Sequence, residues 1–147
     1  MNVAKLFSKE DKEAIKAAIR EAELTTSGEI RVHIEKKCHG DVLDRAAYLF
    51  KKLKMHKTKL RNGVLFYIAL ENKKFGILGD VGINKVVPDN FWVEIKEKMR
   101  SYFSEGRITK GLVTGINMAG DALKDHFPYQ SDDVNELSNE ISFGENQ

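Results

Sequence analysis

The sequence predicts an α/β protein, a three-layer α/β/α sandwich around a small mixed central sheet of three to four strands. Three observations predict it. Apolar runs suited to strands alternate with segments whose apolar residues recur at helical spacing. One run, "VLFYIAL" (64–70), is apolar on both faces, as a strand covered by helices on either side must be. The elements run helix, strand, helix, strand, strand and two closing helices, so a helical crossover joins the first two strands in parallel.

Ser8 followed by Asp11 marks the first helix start, a capping pattern with a carboxylate near the positive helix end. Ile15, Ala18, Ile19 and Ala22 share one face, and the helix should end near Leu24. "GEIRVHIEKK" (28–37) alternates, with Ile30, Val32 and Ile34 opposite Arg31, His33 and Glu35, which predicts a half-buried strand. Gly40 and Asp41 break it and open a second helix with an apolar stripe of Leu43, Ala46, Ala47, Phe50 and Leu53.

After 64–70, "ENKK" (71–74) supplies a polar turn and "FGILG" (75–79) returns antiparallel. A turn at 71–74 would set Leu70 opposite Phe75 and Leu65 opposite Asp80. "NKVV" (84–87) is a candidate edge strand stopped by Pro88. Asp89 and Asn90 should start a third helix bearing Phe91, Ile95, Met99, Tyr102 and Phe103, ended by Gly106. Thr109 opens a fourth, with Leu112, Ile116, Ala119 and Leu123 inside, closing before Pro128. No repeat interrupts this order, which gives one domain over 1–127 and a tail over 128–147.

Composition is that of a globular chain, 41% hydrophobic and 31% charged over 147 residues. No apolar run approaches the roughly 20 residues of a membrane span. The start, "MNVAKLFSKEDKEA", has no apolar core of a secretory signal, and the single Cys38 suits a reducing compartment, so a cytoplasmic location and a monomer are expected. The tail holds five acids and no Lys or Arg; without it the body has 24 basic against 17 acidic residues, a charge of +7. Sparse apolar residues predict that the tail is weakly ordered.

The segments "SGEIRVHI", "RNGVLFYIALENKKFGILGDVGI" and "GRITKGLVTGINMAGDAL" together resemble the TPM domain family, over roughly residues 8–127. The chain looks like a stand-alone version of that domain. The resemblance implies divalent-cation binding, chiefly of calcium, and a weak acid phosphatase activity known from plant members.

"CHGDVLDR" (38–45) lies between strand and helix as a cysteine-phosphatase loop would. Its spacing is one residue too long, and Asp41 and Asp44 would repel a phosphate dianion. No P-loop lysine pattern is present. No catalytic residue is assigned, and any phosphatase activity would have to be metal-assisted. His39 beside Cys38 lacks partners for zinc, and His126 suits the C-terminal dipole of the last helix.

Cation binding fares better. The hairpin returns Asp80 to the end of the sheet where the first strand begins with Glu29, and the loop beyond must turn back toward Asp89. Glu29, Asp80 and Asp89, with the amide of Asn62, converge there as hard oxygen ligands suited to Ca²⁺ or Mg²⁺, and Asn84 is a further candidate ligand. Alternatively, Asp89 is a helix N-cap, Asp80 accepts turn hydrogen bonds, and Asn84 is a plain turn residue.

"KKLKMHKTKLR" (51–61) carries six Lys or Arg. It reads either as a helix C-terminus in its favoured charge or as a surface for an acidic protein or anionic membrane. No aromatics interleave it, so no nucleic-acid partner is expected. The sequence reading is therefore a calcium- or magnesium-responsive binding or scaffold module. The alternatives are a metal-assisted acid phosphatase and a basic-surface adaptor.

Overall fold

The computed structural model describes residues 3–130 and 137–144. Its elements are α1 (Lys9–Glu23), β1 (Glu29–Glu35), α2 (Val42–Lys52), β2 (Gly63–Ala69), β3 (Lys74–Gly79), α3 (Val81–Asn84), α4 (Val93–Ser104), α5 (Ile108–Leu123) and β4 (Ser142–Phe143). Short 3₁₀ turns precede α1 and β2. The four strands form one mixed sheet in the order β3-β2-β1-β4. β1 runs parallel to β2 and β4, while β2 and β3 are antiparallel.

Side-chain alternation divides the core into two layers. Ile30, Val32, Ile34, Val64, Phe66 and Ile68 pack with the apolar faces of α1, α4 and α5. Leu65, Tyr67 and Ala69 point the other way, onto Ala46, Leu49 and Phe50 of α2. Each aliphatic side chain buried in this way contributes about 1.5–3 kcal/mol. The helix layer is tight because α5 carries glycine at its crossings. A Cβ on Gly115 would lie 2.4 Å from Met99 Sδ, and one on Gly120 would lie 2.9 Å from Ala22 Cβ.

The first helix forms as the residues predict. Ser8 Oγ accepts the Asp11 N–H at 3.0 Å while the Asp11 carboxylate accepts from Ser8, and Leu24 closes the helix.

Several local expectations are corrected. β1 is not half-buried: Glu29, His33 and Glu35 are enclosed like the aliphatic residues, Glu29 against Glu23, His33 against Tyr67 and Ser142, and Glu35 against Tyr67 and Arg45 of α2. The buried face of α2 uses Leu49 rather than Leu43 and Ala47, which face outward. The hairpin loop is 70–73, with Lys73 in a left-handed conformation, so Ile68 faces Phe75 and Val64 faces Gly79. The shift is two residues, which keeps every side chain on its expected face and sets Asp80 beside Gly63.

Residues 84–87 form no edge strand. The Asp80 carboxylate accepts the Val81 N–H at 2.8 Å and starts the single turn of α3 instead. α4 begins after Trp92, not at Asp89, because 88–92 is taken up by successive tight turns.

The fourth strand comes from the tail, whose sparse apolar residues gave no strand signal. Ser142 and Phe143 pair with His33 and Ile34, and the Gly144 N–H reaches Ile34 O at 2.8 Å. Of the tail acids, Asp132, Asp133, Glu136 and Glu145 lie outside the described residues. Glu140 pairs with Lys16 at 3.5 Å.

Candidate functional site

The start of β1, the start of β2 and the end of β3 meet at one end of the sheet. Glu29 N–H donates to Asn62 O at 3.2 Å, and Asp80 N–H donates to Gly63 O at 2.9 Å. Parallel pairing of β1 with β2 and antiparallel return of β3 dictate this meeting. Glu29, Asn62 and Asp80 are therefore brought together along adjoining backbones.

The side chain of Asp80 is already engaged. Arg61 donates to both carboxylate oxygens, from Nε at 2.7 Å and from Nη2 at 3.0 Å. This is the forked geometry in which guanidinium and carboxylate pair most strongly. Arg61 has φ of 52°, a left-handed turn that brings its carbonyl to the Gly82 N–H at 2.9 Å. A Cβ on Gly82 would sit 2.1 Å from Leu60 O, so only glycine permits the approach. Gly82 thus serves close backbone packing. Asn84 donates from Nδ2 to Gly79 O at 3.2 Å. Asp89 is exposed in the turn before α4, and its carboxylate makes no ion pair or hydrogen bond with a described residue.

Glu29 has a neighbour that the sequence reading did not single out. Glu23, at the end of α1, accepts the Ile30 N–H at 3.0 Å and lies against the Glu29 carboxyl. Burial and the nearby Glu29 push Glu23 up to about 8, although the Ile30 hydrogen bond opposes the shift. Glu23 raised in this way keeps its proton at neutral pH beside Glu29. Asn62 is almost wholly buried; its Nδ2 donates to Ser27 O at 3.2 Å, while Oδ1 has no hydrogen-bond partner among the described residues. Among the described residues no three His, Cys, Asp or Glu side chains group closely enough to hold a metal ion by themselves. Glu23, Glu29 and the free oxygen of Asn62 fit a hard cation in donor type. Asp80 fits only if Arg61 leaves it.

A second polar cluster lies under α2. Glu35 is fully buried and takes hydrogen bonds from Arg45 Nε at 2.9 Å, Arg45 Nη2 at 2.8 Å and the Tyr67 hydroxyl. His33 Nε2 lies 3.3 Å from the same carboxylate, and its Nδ1 lies 2.8 Å from Ser142 Oγ. Burial opposes ionisation of Glu35, but the bonds from Arg45, His33 and Tyr67 outweigh it and hold the carboxyl well below its usual range. Burial and Glu35 together push the Tyr67 hydroxyl up. Arg45 is thus committed to Glu35 and is not turned toward a phosphate beside the buried Cys38. The cluster had a readable signal: a strand apolar on both faces implies that its neighbour is covered on both as well.

A four-stranded mixed sheet with helices on both faces and a pinned carboxylate at its loop end defines a small α/β sandwich of a recurring kind. The chain belongs to the TPM domain family, whose model matches residues 1–122. Among solved structures, the NMR structure of the BA42 protein from the psychrophilic bacterium Bizionia argentinensis is 51% identical, with a TM-score of 0.89. The match covers 94% of this chain and 95% of that one. The N-terminal domain of a P. gingivalis protein is 19% identical with a TM-score of 0.71, over 86% of this chain and 82% of that chain. The N-terminal domain of the cg2496 protein from Corynebacterium glutamicum is 13% identical with a TM-score of 0.66, over 99% and 86%. These two show the fold alone. No curated protein matches. No helix among the described residues is long and apolar enough to cross a membrane.

Proposed function

We propose that the chain is a divalent-cation-responsive binding module of TPM type, with Glu29 and Glu23 as its acidic ligands and the Asn62 side-chain oxygen as a neutral one. The carrying observation is the pair of carboxyl groups held against each other, with Glu23 raised to about 8. A proton relieves that repulsion at neutral pH, and a divalent ion relieves it more completely. Oxygen donors of this kind suit Ca²⁺, and Mg²⁺ less well because it keeps its waters and demands octahedral order. Few protein carboxylates are available, so affinity is modest. Binding at this corner ties α1, β1 and the 58–62 loop together, which is how an ion would stiffen the surface around it.

The test is a calcium titration followed by backbone amide shifts. Saturable shifts are expected at 28–30 and 61–63, lost in Glu29→Gln, with protons released on binding. Absence of shifts at both segments at millimolar calcium would sink the reading. Arg61→Ala separates the two possible ligand sets. If Asp80 is a ligand, freeing it strengthens binding; if Glu23 and Glu29 suffice, affinity stays the same.

A further inference from the structure

The basic stretch ends in a corner beside the cation site that contributes none of its acidic ligands. Met55 is fully buried, and Thr58 is buried with its hydroxyl accepting the Asn62 N–H at 3.2 Å. These two pins hold the stretch on the fold and leave Lys57 and Lys59 facing solvent. The close contact between Leu60 O and Gly82 then sets the loop against α3. Leu60 is 51% exposed, Val81 45% and Val86 50%. Nine large apolar side chains are exposed among the described residues; of these, Leu60 lies in the loop set against α3, Val81 opens α3, and Val86 follows two residues after its end. Lys85, one helical turn after Val81, adds a further outward cation. Neither Lys57 nor Lys85 makes an ion pair with a described residue. Asp80 is neutralised by Arg61, and Asp89, past Pro88, is the exposed acid nearest in sequence.

We propose that this corner docks on an anionic phospholipid surface. Lysines meet the headgroup phosphates and carboxylates, while Leu60, Val81 and Val86 enter the boundary beneath them. A bare helix end needs the lysines but not the aliphatic side chains between them. Nucleic acid is the poorer fit, because the corner offers no exposed aromatic ring for a base to stack on. The proposal does not rest on the cation reading, and its test runs with a chelator present so that calcium cannot bridge protein to lipid.

The experiment is flotation of the full chain with phosphatidylcholine vesicles containing about 30 mol % phosphatidylserine, against phosphatidylcholine alone. Binding to the first only is expected, falling steeply between about 50 and 200 mM salt. The K57E/K85E variant should lower the vesicle partition coefficient at least about thirtyfold, as expected for two lost lysine contacts near the surface. The L60S/V81S variant should lower it severalfold with the salt dependence kept. The K98E/K110E variant, an equal charge change on α4 and α5, should bind as the parent does. All variants change exposed residues, and an unchanged melting temperature verifies each fold. Equal binding to both vesicle types, or no loss in K57E/K85E or L60S/V81S, would overturn the proposal. So would capture by a DNA duplex at salt that releases the vesicles.

Discussion

Arg61 holds Asp80 through two parallel hydrogen bonds, 2.7 Å and 3.0 Å long, across 19 residues of sequence. The pair closes the loop before β2 onto the turn after β3. Asp80 is buried while Arg61 is half in solvent, so removing either partner has unequal effects.

Asp80→Ala should lower the melting temperature more than Arg61→Ala. The first change loses both the ion pair and the cap on Val81, whereas the second leaves the cap in place and lets water reach the carboxylate. Thermal unfolding of both variants and of the double variant measures the coupling. A double variant no worse than Asp80→Ala is the expected result.

Glu23 makes stability depend on pH in an unusual direction for an acid. Its folded-state value is raised from 4.5 to about 8, so the folded state binds more protons than the unfolded state across that window. Its contribution is present in full below pH 4.5 and is lost as pH rises toward 8, on the order of a few kcal/mol. Glu23→Gln keeps an acceptor for Ile30 and removes the titration. Denaturant midpoints measured from pH 5 to 8 should fall in the parent and flatten in the variant.

Glu35 works the other way. Its carboxyl is held low, so the stability it provides is present above pH 4.5 and is lost as pH falls through its depressed value. Glu35→Ala should cost about 3–5 kcal/mol, since it strands Arg45 and Tyr67 around a vacated buried site. Cys38→Ser, by contrast, should leave any phosphatase turnover intact. Loss of turnover in a folded Cys38→Ser protein would show that the thiol acts chemically after all.

Trp92 is placed to report on the proposed cation corner without joining it. Its Cζ2 lies 3.4 Å from where a Cβ on Gly79 would stand, one residue before Asp80, and its ring packs edge-on against Phe91 at 4.7 Å. Calcium should therefore give a saturable change in indole emission, lost in Glu29→Gln and weaker with magnesium. An emission change that persists in Glu29→Gln would place the ion elsewhere.

Local chemistry alone determined much of this protein. The Ser8–Asp11 capping pattern, the two-faced apolar run at 64–70 and the helical spacing of Leu112, Ile116, Ala119 and Leu123 each specify their element through short-range rules. Those rules also brought Glu29, Asn62 and Asp80 to one end of the sheet. They could not tell which oxygen atoms there remain free. Tertiary structure decided that Asp80 belongs to Arg61, that Glu23 presses on Glu29, and that Glu35 is buried in a polar cluster. It also decided that a two-residue strand from the tail completes the sheet. The physical reason is the same in each case. Backbone pairing follows from pattern and register, whereas the partner of a charged side chain depends on which distant groups share its low-dielectric pocket, and sequence spacing does not encode that distance.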